Sequence, residues 1–136
     1  MSLFVLDSYA LLAYFQDEPG AKEVERILRM AEDGQANLFM CVVNWAEVYY
    51  NTARTKGFET AEEALLVMEQ LGIELVGADK QLMYTAAKLK ARYPIALGDC
   101  AAAALALLKE CPVVTGDPEF KRLGDDVKVH WLTKMK

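Results

Sequence analysis

The sequence holds a single histidine, His130, and that scarcity excludes much chemistry. Ser-His-Asp and Cys-His catalysis would each have to run through this one residue, and no serine or cysteine offers a recognisable elbow for it. The three cysteines, Cys41, Cys100 and Cys111, are odd in number and lack C-x-x-C spacing. A disulfide framework or a zinc site is therefore not expected. Cys41 and Cys100 lie in apolar runs and read as small buried hydrophobes. No apolar run reaches the roughly 18 residues of a membrane span. The longest, Cys100 to Leu108, is rich in alanine and far too short. The start, Met1-Ser2-Leu3-Phe4-Val5-Leu6-Asp7, has no basic region and meets an acid early, so no signal peptide is expected and the cytoplasm is the expected location.

Positive charge is also in deficit. Fifteen Lys and Arg face twenty Asp and Glu, a net charge of −5. A general nucleic-acid binder is usually basic. A surplus of acids fits better with carboxylates held for a purpose, or with a basic partner. What is abundant is core: 54 % of the residues are apolar and 26 % charged over a length of 136. That is a soluble globular composition and one domain's worth of chain, 1–136, with no linker, repeat or low-complexity segment.

Short apolar runs alternate with helical patterns. Leu3 to Leu6 reads as a buried parallel strand ended by Asp7. Helices are expected over Tyr9–Gln16 and Ala21–Asp33, the second with Val24, Ile27, Leu28 and Ala31 on one face. Leu38 to Val43 reads as a second strand, with Asn44 as N-cap of a helix through Arg54. Thr60-Ala61-Glu62-Glu63 reads as a capping box opening a fourth helix. Ile73–Val76 is a third strand and Asp79–Arg92 a helix. Asp99 reads as a candidate cap for the alanine-rich helix to Glu110. Pro112–Thr115 is a fourth strand and Val127–Leu132 an edge strand. This alternation predicts an α/β fold, a three-layer α/β/α sandwich around a mainly parallel sheet.

Four acids fall at informative places: Asp7 after the first strand, Glu47 one turn into the helix after the second, Asp99 at a helix head, and Asp117 after the fourth strand. Ligands of open α/β sheets bind beyond the carboxyl ends of the strands. Each acid also has a local explanation. Asp7 ends a strand, Glu47 has nearly capping-box spacing from Asn44, Asp99 suits an N-cap, and Gly116-Asp117-Pro118 is a turn sequence. Taken as a set, converging carboxylates would repel unless cations sat among them. Oxygen ligands without His or Cys suit Mg²⁺ or Mn²⁺. Two such ions about 4 Å apart could clamp the attacking and leaving oxygens of a phosphodiester.

At this point the chain resembles the PIN-domain family, and within it the VapC-like ribonuclease toxins of type II toxin–antitoxin systems. The matching segments are Leu6-Asp7-Ser8-Tyr9-Ala10-Leu11-Leu12, Asn44-Trp45-Ala46-Glu47-Val48, Leu97-Gly98-Asp99-Cys100-Ala101-Ala102-Ala103-Ala104-Leu105-Ala106, and Val113-Val114-Thr115-Gly116-Asp117-Pro118-Glu119-Phe120. They cover essentially the whole chain in order. The last is the most specific, and Asn44 departs from the family's frequent Ser or Thr. The resemblance implies a PIN-like fold and an endoribonuclease using Mg²⁺ or Mn²⁺. It places Asp7, Glu47, Asp99 and Asp117 as metal ligands, Asp7 and Asp99 foremost. It makes Thr115 a supporting hydroxyl and Ser8 a residue that orients water. It also implies cleavage by metal-activated water to 5′-phosphate and 3′-hydroxyl ends, a cognate antitoxin and a homodimer.

An acidic ribonuclease must still hold a polyanion. Arg54 and Lys56 follow Glu47, with Arg54 about 10 Å further along a helix. Lys88, Lys90 and Arg92 precede Asp99, and Lys121 and Arg122 follow Asp117. Arg54, Lys56, Lys121 and Arg122 are the main candidates for RNA contacts, against a reading as solvated surface. Tyr14, Phe15, Trp45, Tyr49 and Tyr50 divide between core packing and a partner groove. A phosphatase of the aspartyl-phosphate type would want an acid at position 9, where Tyr9 stands, and a receiver domain would need an acidic pair near the first strand and a late lysine at a strand end, neither of which is clear in this chain. The rival from another class is a non-catalytic PIN-like module that binds RNA or protein. Nuclease activity on DNA ranks lower.

Overall fold

The computed structural model describes residues 1–132. The elements run β1 (Ser2–Leu6), α1 (Ser8–Phe15), α2 (Ala21–Glu32), β2 (Ala36–Cys41), α3 (Val42–Lys56), α4 (Phe58–Gln70), β3 (Ile73–Val76), α5 (Lys80–Arg92), α6 (Leu97–Lys109), β4 (Val113–Thr115), a 3₁₀ segment (Pro118–Asp126) and β5 (Val129–Trp131). One five-stranded sheet has the order β3-β2-β1-β4-β5. All its pairings are parallel, with Phe4 beside Leu38 and Leu6 beside Val114.

Both faces of the central strands β1, β2 and β4 are covered, and their buried residues apart from Thr115 are apolar for that reason, while the edge strand β3 leaves Glu74 and Leu75 exposed. Phe4, Leu6, Leu38, Met40 and Val114 turn to one face, where α1, α2, α3 and α4 close over them. Val5, Phe39, Cys41 and Val113 turn to the other, under α5, α6 and the 3₁₀ segment. Period-two alternation thus serves two cores at once, as a doubly covered parallel sheet requires. Helix α6 buries Ala101 through Ala106 in succession. Its alanines let it lie close to the sheet, and its first turn carries Asp99. All three cysteines are buried and free, as small hydrophobes.

Three local expectations need correction. Strand β2 ends at Cys41, not Val43, and α3 begins at Val42 with Cys41 in the extended N-cap position. Asn44 is therefore inside the helix and caps nothing. The helical period wins here over the β-branched pair because Asn44, Val48 and Thr52 form the buried stripe of α3. Helix α4 begins at Phe58, directly after Gly57 with φ 99° and ψ 160°, so Thr60 lies within it and the capping box does not form. Asp99 sits in the first turn of α6, whose N-cap is Ala96. Elsewhere caps form where aspartate leads a helix: the Asp79 carboxylate accepts from the Leu82 amide at 2.9 Å.

Candidate active site at the switch point of the sheet

The chain fills the sheet from β1 outward through β2 to β3, then crosses back to β4 and β5 on the other side of β1. The carboxyl ends of β1 and β4 therefore border the crevice where the winding reverses, which is where open α/β sheets bind ligands. Asp7 follows β1 directly, and Thr115 closes β4 two residues before Asp117. Glu47 reaches the crevice from α3 and Asp99 from the first turn of α6.

Asp7 is 2 % exposed and caps α1, accepting from the Ala10 amide at 2.9 Å. Burial pushes its carboxyl up to about 7; hydrogen bonds from Thr115 and Ala10 pull the other way, and the charges of Asp99 and Asp117 add to the rise. Asp99 is likewise pushed up to about 7, by burial first and then by Asp117, Glu47 and Glu119. The charges that raise these two carboxyls are all those of neighbouring acids. Among the described residues, the ion pairs join Arg26 and His130 to Glu23, and Arg29 to Glu25, and none involves the crevice acids.

Thr115 is fully buried, and its hydroxyl accepts from the Asp117 amide at 3.0 Å. The Asp117 carboxylate accepts in turn from the Glu119 amide at 2.9 Å, capping the 3₁₀ segment. Ser8 donates to Glu47 Oε1 at 3.0 Å. Asn44 donates to the same oxygen at 3.0 Å and to the Gly98 carbonyl at 3.1 Å. Two glycines give the room: an ideal Cβ on Gly98 would stand 2.0 Å from Glu47 Oε2, and one on Gly116 would stand 2.5 Å from Tyr9 Cε1.

The structure thus brings together Asp7, Ser8, Glu47, Asp99, Thr115 and Asp117. Asn44, Glu119, Gly98, Gly116 and Tyr9 belong to the same neighbourhood and were not assigned to it from sequence. A glycine directly before a crevice acid, in Gly98-Asp99 and Gly116-Asp117, was the available signal.

The basic residues stand differently. Arg54, Lys56, Lys88, Lys90, Arg92, Lys121 and Arg122 are all exposed. Arg54 lies 5.0 Å over the Tyr50 ring and Lys88 4.5 Å over Tyr84. Lys90 donates to the Ile95 carbonyl at 2.7 Å. Of the aromatics, Tyr14, Phe15 and Trp45 pack against the core, Tyr49 donates to Glu62, and Tyr50 is exposed.

The donor set suits a hard divalent cation. It is all oxygen, partly buried, and without an internal counter-charge. The acids border the crevice rather than close on one point: among the described residues no three His, Cys, Asp or Glu side chains are grouped as an ion's ligands would be.

The chain matches the PIN domain family over residues 4–126. It belongs to that family. Solved VapBC toxin–antitoxin systems share its fold. A chain of VapBC2 from Rickettsia felis, bound to a DNA fragment from its promoter, superposes with a TM-score of 0.75 at 14 % identity, covering 96 % of this chain and 99 % of that one. VapBC-1 from nontypeable Haemophilus influenzae gives 0.71 at 18 % identity, with 97 % and 99 % covered. The VapC20 toxin of Mycobacterium tuberculosis, which cleaves the sarcin–ricin loop, gives 0.71 at 15 % identity, with 90 % and 95 % covered. No curated protein matches the chain in sequence. No helix among the described residues is long and apolar enough to cross a membrane.

Proposed function

We propose that the protein is a divalent-metal-dependent endoribonuclease and acts as the toxin of a VapBC-type pair. The observation that carries this is the set of carboxylates at the switch point, where buried Asp7 and partly buried Asp99 are raised further by the charges of neighbouring acids. Asp7, Glu47, Asp99 and Asp117 would hold Mg²⁺ or Mn²⁺. Bound there, the cation supplies Lewis-acid activation of water and offsets charge on the phosphodiester.

The chain's own residues prepare the site. Thr115 bonds to Asp7 and holds the Asp117 backbone, while the Glu119 amide orients the Asp117 carboxylate. Ser8 anchors Glu47 rather than standing free. Hydrolysis adds the water oxygen to phosphorus and breaks the P–O3′ bond. The proton goes to the leaving oxygen, giving 5′-phosphate and 3′-hydroxyl ends. Arg54, Lys56, Lys121 and Arg122 are the side chains proposed to meet RNA phosphates. A cognate antitoxin and a second copy of the chain are the proposed protein partners, in keeping with the VapBC complexes that share the fold.

The test is cleavage of a mixed RNA pool by purified protein with Mn²⁺, with EDTA, and with Asp99→Asn. Cutting should require both the cation and Asp99. A folded protein that binds RNA but cuts none with Mn²⁺ would instead be a PIN-like binding module.

A further inference from the structure

Glu47 is held by only one of its two oxygens. Ser8 Oγ and Asn44 Nδ2 both donate to Oε1, each at 3.0 Å. Oε2 lies over Gly98, next to Asp99, and among the described residues no hydrogen bond reaches it. Asn44 is 1 % exposed, so its amide has little access to water. Its two partners, a carboxylate and the Gly98 carbonyl, only accept, so the NH₂ group must face them. That orientation leaves Asn44 Oδ1 buried with no donor. An orphaned buried acceptor disfavours the fold, and such exceptions gather where function requires a geometry.

We infer that Asn44 is a positioning residue that, together with Ser8, pins Glu47 by Oε1 and leaves Oε2 free as its cation-facing oxygen. The inference rests on the metal-dependent reading above. Asn44 and Glu47 lie three residues apart on one face of α3, and Gly98 lies on α6. One amide therefore sets both the rotamer of Glu47 and its distance from the helix bearing Asp99. Without it, Glu47 would keep one hydrogen bond and regain its freedom to swing from the crevice.

The test titrates Mn²⁺ into EDTA-stripped protein without RNA, with free Mn²⁺ read by its paramagnetic resonance signal. Asn44→Ala should weaken Mn²⁺ binding by about tenfold or more, as loss of a partner behind a ligand does. Ser8→Ala should weaken it in the same direction. Cleavage by Asn44→Ala should climb back toward wild type as Mn²⁺ is raised. A folded Asn44→Ala protein with lower melting temperature but wild-type Mn²⁺ affinity would overturn the inference, leaving Asn44 a bridge between helices. Should Asn44→Ala fail to fold, unchanged affinity in Ser8→Ala overturns the assignment of Oε1 as the anchored oxygen. Wild-type protein that takes up no Mn²⁺ would instead overturn the functional reading, and the inference with it.

Discussion

Glu47 occupies the space that a side chain at Gly98 would fill, with Oε2 only 2.0 Å from an ideal Cβ there. Gly98 is helical, so alanine suits its backbone and would favour α6 by roughly 0.5–1 kcal/mol. The methyl group would displace the carboxylate. Gly98→Ala should therefore keep the fold and lose activity, on the order of a hundredfold for a displacement near 1 Å. Cleavage rates compared with thermal melts check this. Wild-type activity would place Glu47 outside the reaction.

Thr115 joins the two strand-end acids. Thr115→Val keeps the shape but leaves the Asp117 amide and the Asp7 carboxylate each short of a partner. A cost of about 1–3 kcal/mol is expected in urea unfolding. Activity should fall with it, and Thr115→Ser should recover most of both. Equal loss with Ser and Val would point to packing of the methyl group instead.

On the outer side of β4, Glu23 receives hydrogen bonds from Arg26 and stands 2.7 Å from the ring of His130, the residue of β5 paired with Val114, so that it links α2 to β5. Arg26 chiefly, then His130, lower its carboxyl to about 2. Its stabilising contribution is present above the ordinary glutamate value and lost as the pH falls through about 2. Glu23→Gln should thus lower the melting temperature at neutral pH, and the gap should narrow under acid. A gap independent of pH would remove the ion pairs as its cause.

Lys121 and Arg122 are exposed on the 3₁₀ segment that Asp117 opens. As phosphate contacts, each should contribute about one unit to the slope of log affinity against log salt. Lys121→Glu and Arg122→Glu should weaken RNA binding and flatten that slope. An unchanged slope would place both outside the RNA track.

Strands β1 and β4 could be read from the sequence because each is a short apolar run closed by a polar residue or a turn, and β3 because Ile73, Leu75 and Val76 follow the turn at Gly72. The end of β2 could not. Val42 and Val43 prolong its apolar run, and only the tertiary need to bury Asn44, Val48 and Thr52 together shows that the helix has begun. Thr60-x-x-Glu63 misled for a related reason: Gly57, at positive φ, already starts α4 at Phe58.

The individual crevice acids stood out through their places in the chain and the family resemblance. Their convergence depends on the reversal of winding between β1 and β4, which no local pattern encodes. Asn44 looked like a cap because asparagine often is one; its contacts with Glu47 and Gly98 span two helices. Glu119 acts on Asp99 only through the path of the 3₁₀ segment.

The most direct measurement compares wild type with Asp7→Asn in two assays at about pH 8, where burial and like charge disfavour the ionised carboxylate. Asparagine keeps an oxygen for the Ala10 amide while removing the charge that Asp99 and Asp117 oppose. In EDTA, Asp7→Asn should melt several degrees above wild type; Mn²⁺ should stabilise wild type far more, and only wild type should cut RNA. An Asp7→Asn protein that melts well below wild type in EDTA, or cuts RNA at the wild-type rate, would contradict a metal-charged catalytic centre at the switch point.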